Sequence, residues 1–183
     1  GTFIMQNEKF VGGVSDGEYG ATAMKLNKWH TLANKACFFF DDCYAALGSG
    51  ISTAEENVST GIDQRALTGN IYVNNQIFEQ GEKEEDNVSI IYTDSASYYF
   101  PNPETLNIKA GKTKGKWSDI GDSTDDTEYE QNMFVISKPH KVNNDDYCYI
   151  VYPGITREEA ESIPNECKIN IVSNTKTIQA VYN

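Results

Sequence analysis

The sequence is poor in histidine, in proline and in positive charge. Its 183 residues include two histidines, His30 and His140, so any site built on imidazole must use one of them. Neither stands beside a complete set of reactive groups. His30 follows Trp29 in a polar stretch, and His140 follows Pro139 at the end of an apolar run. There is no Gly-x-Ser-x-Gly elbow, so no nucleophile–base pair is legible locally, and both histidines are expected in turns or at the surface. Lys and Arg number 15 against 27 Asp and Glu, a formal charge of −12. Lacking a basic stripe to displace counterions, the chain is not expected to bind nucleic acid. No apolar run approaches the roughly 18–20 residues that a membrane helix needs, so no membrane partner is expected. Residues 1–4 show neither the basic nor the apolar region of a signal peptide.

Cysteine is also sparse and badly spaced for metal. Cys37, Cys43, Cys148 and Cys167 form no Cys-x-x-Cys pair, which argues against zinc, redox motifs and a disulfide framework alike. Cys37 and Cys148 lie among strand-like residues and are expected as buried thiols.

What is abundant is short-period apolar alternation. Segments 37–41, 71–73, 88–92, 97–100, 133–137, 147–152, 168–172 and 177–182 are rich in Val, Ile, Tyr and Phe. Between them stand clusters such as Pro101-Asn102-Pro103 and Asn143-Asn144-Asp145-Asp146, which read as turns. Strands at this spacing without long amphipathic helices predict an all-β, antiparallel β-sandwich spanning residues 1–183 as one domain. Segment 21–35 reads as strand–turn–strand. One short helix is predicted near 157–162: Thr156 and Glu159 form a capping box, and Pro164 should stop it. The acidic stretches 76–87 and 121–130 are expected to be solvated connections.

Four features invite a chemical reading. The glycine run from Gly12 to Gly20 lacks a Gly-Lys-Ser/Thr ending and a following helix, so it reads as a turn rather than a phosphate cradle. Gly48-Ser49-Gly50 reads as a turn too. Asp41 and Asp42, adjacent at the end of Phe38-Phe39-Phe40, could ligate calcium through hard oxygens or could simply face water. Tyr98, Tyr99 and Trp117 could stack on sugar rings or could build the core.

The series Phe10-Val11-Gly12-Gly13-Val14-Ser15-Asp16-Gly17-Glu18-Tyr19-Gly20, then Lys35-Ala36-Cys37-Phe38-Phe39-Phe40-Asp41-Asp42, then Ala46-Leu47-Gly48-Ser49-Gly50-Ile51, resembles the central β domain of polysaccharide lyase family 8. Ile62-Asp63-Gln64-Arg65, Tyr98-Tyr99-Phe100-Pro101, Gly115-Lys116-Trp117-Ser118-Asp119-Ile120 and Tyr149-Ile150-Val151-Tyr152-Pro153-Gly154 continue the resemblance in order. It implies a supersandwich-like fold in an extracellular or periplasmic bacterial enzyme that cleaves uronate polysaccharide, such as hyaluronan or chondroitin, by β-elimination. That chemistry needs a group to neutralise the carboxylate, a base for the C5 proton and an acid for the leaving oxygen. The family carries these on an N-terminal α/α-toroid domain whose motifs do not occur here. The resemblance therefore implies no catalytic residue in this chain, no required cofactor, and as partners the toroid and a C-terminal β domain of the same polypeptide. The C-terminal β domain would start near 168–181, and a monomer is expected. Some members bind calcium near an Asp-Asp-Glu stretch, which here reads Asp41-Asp42-Cys43. Two readings compete with this one: a stand-alone carbohydrate-binding module using surface aromatics, and a structural domain that binds nothing.

Overall fold

The computed structural model describes residues 8–141 and 143–183, so the leader reading made on residues 1–4 lies outside the described residues. Alternation does produce strands. In chain order they are β1 (Val11–Ser15), β2 (Gly20–Lys28), β3 (Thr31–Phe39), β4 (Tyr44–Thr53), β5 (Ser59–Ala66), β6 (Ile71–Val73) and β7 (Gln76–Ile77). The chain continues with β8 (Gly81–Thr93), β9 (Ala96–Gly115), β10 (Tyr129–Pro139), β11 (Asp145–Pro153), helix α1 (Arg157–Glu166), β12 (Asn170–Asn174) and β13 (Gln179–Tyr182).

The pairing is antiparallel throughout and runs β1-β2-β3-β4-β11-β9-β8-β6-β7, with β10 and β5 branching from β9. The branch makes the sandwich. The first residues of β9 pair with β11, while residues 107–115 pair with β10. Between those halves the β8–β9 register shifts near Val88, and Pro101 and Pro103 fall in that interval. These prolines, expected to separate two strands, instead lie within one long strand, at an irregularity where missing N–H groups break no regular ladder.

Two cores result. The first lies between the main sheet and the branch. Leu106, Ile108, Phe134 and Ile136 meet Ala46, Ile51, Phe100, Tyr147 and Tyr149 there. The second lies on the opposite face of the main sheet, where Cys43, Ala45, Leu47, Cys148, Ile150 and Tyr152 are covered by Ala160 and Ile163 of α1 and by Ile169. Strands β4 and β11 thus bury alternate residues in different cores, which is why they are apolar at consecutive positions.

Several expectations change at this level. The acidic segment 79–86 is largely strand: Glu82, Lys83, Glu84 and Glu85 pair with Lys109, Ile108, Asn107 and Leu106. Pairing with β9 overrides poor local strand propensity. Gly48-Ser49-Gly50 is the interior of β4 rather than a turn. A Cβ on Gly48 would lie 2.0 Å from Tyr147 Cε1, and Gly50 takes φ +61° where the pairing of β4 with both neighbours shifts register. The helix has its capping box, with the Glu159 amide donating to Thr156 Oγ1 at 3.2 Å and the Thr156 amide to Glu159 Oε2 at 2.7 Å. Yet it runs through Pro164 to Glu166, because Ile163 is anchored in the second core and its carbonyl accepts from Cys167 at 2.9 Å. The β2–β3 connection is a tight turn with positive φ at Trp29 and His30, as the strand–turn–strand reading requires. In the glycine run only residues 16–19 form the hairpin turn, closed by Asp16 N–H to the Tyr19 carbonyl, while Gly12 and Gly13 lie within β1.

The β12–β13 hairpin packs onto this main sheet. Asn174 Nδ2 donates to the carbonyls of Gly48 and Tyr147 at 3.0 Å each, and Ser49 Oγ donates to the Thr175 carbonyl at 2.8 Å.

Candidate functional site

The three aromatic candidates part company once folded. Tyr98 is 4% exposed, its hydroxyl donating to Asp63 and its ring packed near Phe134. It is a core residue and presents no face to a sugar: residues 98 and 99 point to opposite faces of the main sheet, and both faces are covered. Arg65 ties the same group down, its Nε lying 3.0 Å from Asp63 Oδ2 while a terminal nitrogen donates to the Thr93 carbonyl at 2.8 Å. Burial, followed by the bond to Asp63, raises the Tyr98 phenol above its ordinary range.

Tyr99 is half-buried against the second core and edges a depression of about 320 Å³ with Pro101, Asn102, Pro164 and Cys167. Trp117 alone of the three is open, at 57% exposure, on a single 3-10 turn (Trp117–Asp119) after β9. That turn caps an arm formed by residues 111–115 of β9 and 129–133 of β10. Lysine–acid pairs run along it: Lys112 with Glu130 at 2.6 Å, Lys114 with Glu128 at 2.7 Å and Lys116 with Asp126 at 3.4 Å. Trp29 is also exposed, in the β2–β3 turn, with the Lys28 ammonium 4.1 Å from its ring centroid.

Asp41 and Asp42 lie in the β3–β4 turn, which the Phe40 amide closes by donating to the Cys43 carbonyl at 2.9 Å. Both face solvent, and Tyr19 donates to Asp41 Oδ2 at 3.3 Å. Among the described residues no group of three or more His, Cys, Asp or Glu side chains could hold a metal ion. Calcium takes roughly six to eight oxygens, and the protonated thiol of Cys43 stands where a further carboxylate would have helped. These residues do not fit a calcium cage.

The structure also assembles a constellation that the sequence hides. His140 Nε2 lies 2.7 Å from Thr60 Oγ1 and its Nδ1 lies 3.2 Å from Asp145 Oδ2. A hydroxyl, an imidazole and a carboxylate in line have the order of a nucleophilic relay. However, the His140 side chain is 1% exposed, packed beside Tyr147 and near the Lys138–Glu104 ion pair. His140 is therefore not the surface residue expected from sequence. Burial lowers its pKa despite the Asp145 bond, while Asp145 is held below its ordinary value by the amides of Lys141 and Asp146. A base with no opening to substrate cannot take its proton, so the relay fastens β5 to the start of β11. Its members are 80 and 5 residues apart in sequence, which no local motif could reveal. His30, by contrast, is exposed and pairs with Glu55 at 2.7 Å.

A cleft of about 540 Å³ lies between the outer face of β1–β3 and the β12–β13 turn. Phe10, Val14, Ala23, Ala36, Phe38 and Ile178 line it, with Lys35 and Lys176 also present. It offers apolar contact and positive charge but no acid–base pair.

Comparison with known proteins gives this geometry its context. The polysaccharide lyase family 8 super-sandwich domain matches residues 2–163. Chondroitinase-AC of Pedobacter heparinus is 35% identical over 180 residues, covering 94% of this chain and 26% of the relative. Hyaluronate lyase HylB of Enterococcus faecalis is 29% identical, covering 98% of this chain and 20% of the relative. A chondroitinase AC lyase structure described with its oligosaccharide complexes superposes with a TM-score of 0.89 at 33% identity, over 94% of this chain and 27% of that one. Paenibacillus xanthan lyase superposes at 0.86 with 26% identity, over 93% of this chain and 19% of that one. The chain thus spans about a fifth to a quarter of these relatives. By the match over residues 2–163, it belongs to polysaccharide lyase family 8.

Proposed function

We propose that this chain is the central, non-catalytic β domain of a larger extracellular or periplasmic lyase that cleaves uronate polysaccharide by β-elimination. Hyaluronan- and chondroitin-like polymers are the substrate class that the relatives' names suggest. The observation that carries the reading is the disparity in coverage: nearly all of this chain aligns with only 26% of chondroitinase-AC. Two physical features support it. His140 is sealed, so the acid–base groups come from elsewhere in the polypeptide in this reading, and the formal charge of −12 disfavours a polyanion over a broad face of this chain. In this reading the sandwich supplies rigidity and one wall beside the cleft, requires no cofactor of its own, and acts within a monomeric enzyme.

Product release tests it. The unsaturated uronate left by β-elimination absorbs in the ultraviolet. A longer polypeptide containing this chain should generate that absorbance from chondroitin or hyaluronan, while the 183-residue chain alone should not. Turnover by the isolated chain would refute the proposal.

A second reading has one observation in its favour, the open indole of Trp117. If the chain is a carbohydrate-binding module, calorimetry should show saturable binding of oligosaccharides that Trp117→Ala abolishes. Absence of binding would remove this second reading.

A further inference from the structure

The second core holds three of the four cysteines, and two of them flank one tyrosine, Tyr152. The pairing of Tyr44 with Val151 brings Cys43 level with Tyr152 on the neighbouring strand. The Tyr152 hydroxyl lies 3.2 Å from Cys167 Sγ, so Cys167 meets the side chain of the residue that Cys43 neighbours across the ladder. Cys167 caps the C-terminus of α1, and Cys43 closes the β3–β4 turn. Their surroundings differ. Cys43 is buried, whereas Cys167 is half-buried and lines the depression of about 320 Å³ shared with Tyr99, Asn102 and Pro164.

The other two cysteines are placed less favourably for Cys43. Cys37 packs against the first core, on the opposite face of the sheet. Cys148 pairs with Leu47, four residues along β4 from Cys43, or about 13 Å at strand rise. That separation exceeds what a disulfide spans. All four are free thiols in this structure.

We propose that Cys43 and Cys167 are an oxidisable pair, closed to a disulfide by exchange with a small-molecule disulfide that enters the depression beside Tyr99. The asymmetry of the two sites fixes the order of events. Cys167, the accessible sulfur, attacks one sulfur of the external disulfide as its thiolate. The external S–S bond breaks, one small thiol leaves and takes up the proton that Cys167 gave to water, and a mixed disulfide remains on Cys167. Cys43 then loses its proton to the carboxylate of the adjacent Asp42 and attacks Cys167 Sγ. The mixed disulfide breaks and the second small thiol leaves. Two protein thiols and one external disulfide become one protein disulfide and two small thiols, so the electrons balance. Burial pushes the Cys43 thiol up to about 12, which makes ring closure the slow step. The bond would fasten the end of α1 to the start of β4 across the core that helix covers.

The inference is independent of the assignment as a lyase domain, and its test uses the folded chain with oxidised glutathione at about pH 8. Samples are quenched with acid over time, weighed intact and mapped as unreduced peptides. A single glutathionyl adduct on Cys167 should appear first and decay as a chain two hydrogens lighter accumulates, with Cys43 and Cys167 in one linked peptide. Cys43→Ser should arrest at the adduct, and Cys167→Ser should give neither species. Asp42→Asn should keep the adduct step unchanged and slow closure at least tenfold, an order of magnitude typical of a lost proton acceptor. Should Cys43→Ser fail to fold, the time course of the unmodified chain still decides. An adduct that persists without closing, or a link between Cys148 and Cys167, would overturn the proposal.

Discussion

The β4–β11 ladder and the β9–β10 arm use the same antiparallel hydrogen bonding and could hardly be less alike in what surrounds them. In β4 and β11 consecutive side chains enter two different cores, with Leu47 and Ile150 fully buried. In the arm, residues of both strands from 112 to 115 and from 129 to 132 are exposed, and lysine–acid pairs replace apolar contacts. The comparison shows that the backbone ladder is common to both and the free energy is not. Burying apolar surface stabilises by about 25 cal/mol per Å², whereas exposed ion pairs contribute typically less than 1 kcal/mol.

Mutations should expose that gradient. The largest effect is expected at Gly48, because the Tyr147 ring occupies the space any Cβ would need. Gly48→Ala should cost upwards of about 4 kcal/mol or prevent cooperative thermal unfolding altogether. A melting temperature near that of the parent would show that Tyr147 can swing aside. Next, Ile150→Ala opens a cavity beneath α1 and should lower stability by roughly 2–5 kcal/mol in urea titration.

Acid should act at the His140 relay, between these extremes. Its folded pKa is depressed by burial, so the unfolded chain binds the extra proton first. The associated stability is present above the unfolded value of about 6.5 and is lost as pH falls from there through the folded pKa, at no more than about 1.4 kcal/mol per pH unit. Asp145, also depressed, adds a loss of the same sign at lower pH, present above its unfolded value and fading through its folded one. Glu104, raised by burial, works in the opposite direction, so the informative quantity is a difference. His140→Asn should be less stable at neutral pH and should flatten the decline between about pH 6.5 and 5. An unchanged slope would mean that His140 is not what titrates.

The arm should be nearly silent. Lys114→Ala is expected to change stability by less than about 0.5 kcal/mol, and less still in high salt, when followed by chemical denaturation. Millimolar calcium should leave the melting temperature where it was, with or without Asp42→Ala, since the β3–β4 turn does not fit a cage for the ion. A calcium-dependent rise abolished by Asp42→Ala would contradict that judgement.

Legibility followed the range of the interactions. The strand at 147–152, the turn at Trp29-His30 and the Thr156–Glu159 capping box are written in residues a few positions apart, and each is where the sequence puts it. Segment 79–86 was not legible as strand, because Glu82 to Glu85 are held by β9, some twenty residues away. Gly48 looked like a turn glycine for the same reason: the ring that requires it belongs to Tyr147, on another strand. At the candidate site, alternation does place Tyr98 and Tyr99 on opposite faces. It could not reveal that both faces are covered, nor that Trp117 lies beyond them on an open arm. In the Thr60–His140–Asp145 line the Thr60–His140 contact spans 80 residues, and only the fold brings it together.

The measurement that bears most directly on the account is product formation by the isolated chain, with and without His140→Ala, on chondroitin and hyaluronan. Among the described residues His140 stands with a hydroxyl and a carboxylate in line, so its removal is the control for any residual turnover. The account predicts that both proteins leave the ultraviolet absorbance of unsaturated uronate at the level of buffer. Turnover by the parent chain would contradict it, and its loss in His140→Ala would place the chemistry at the relay.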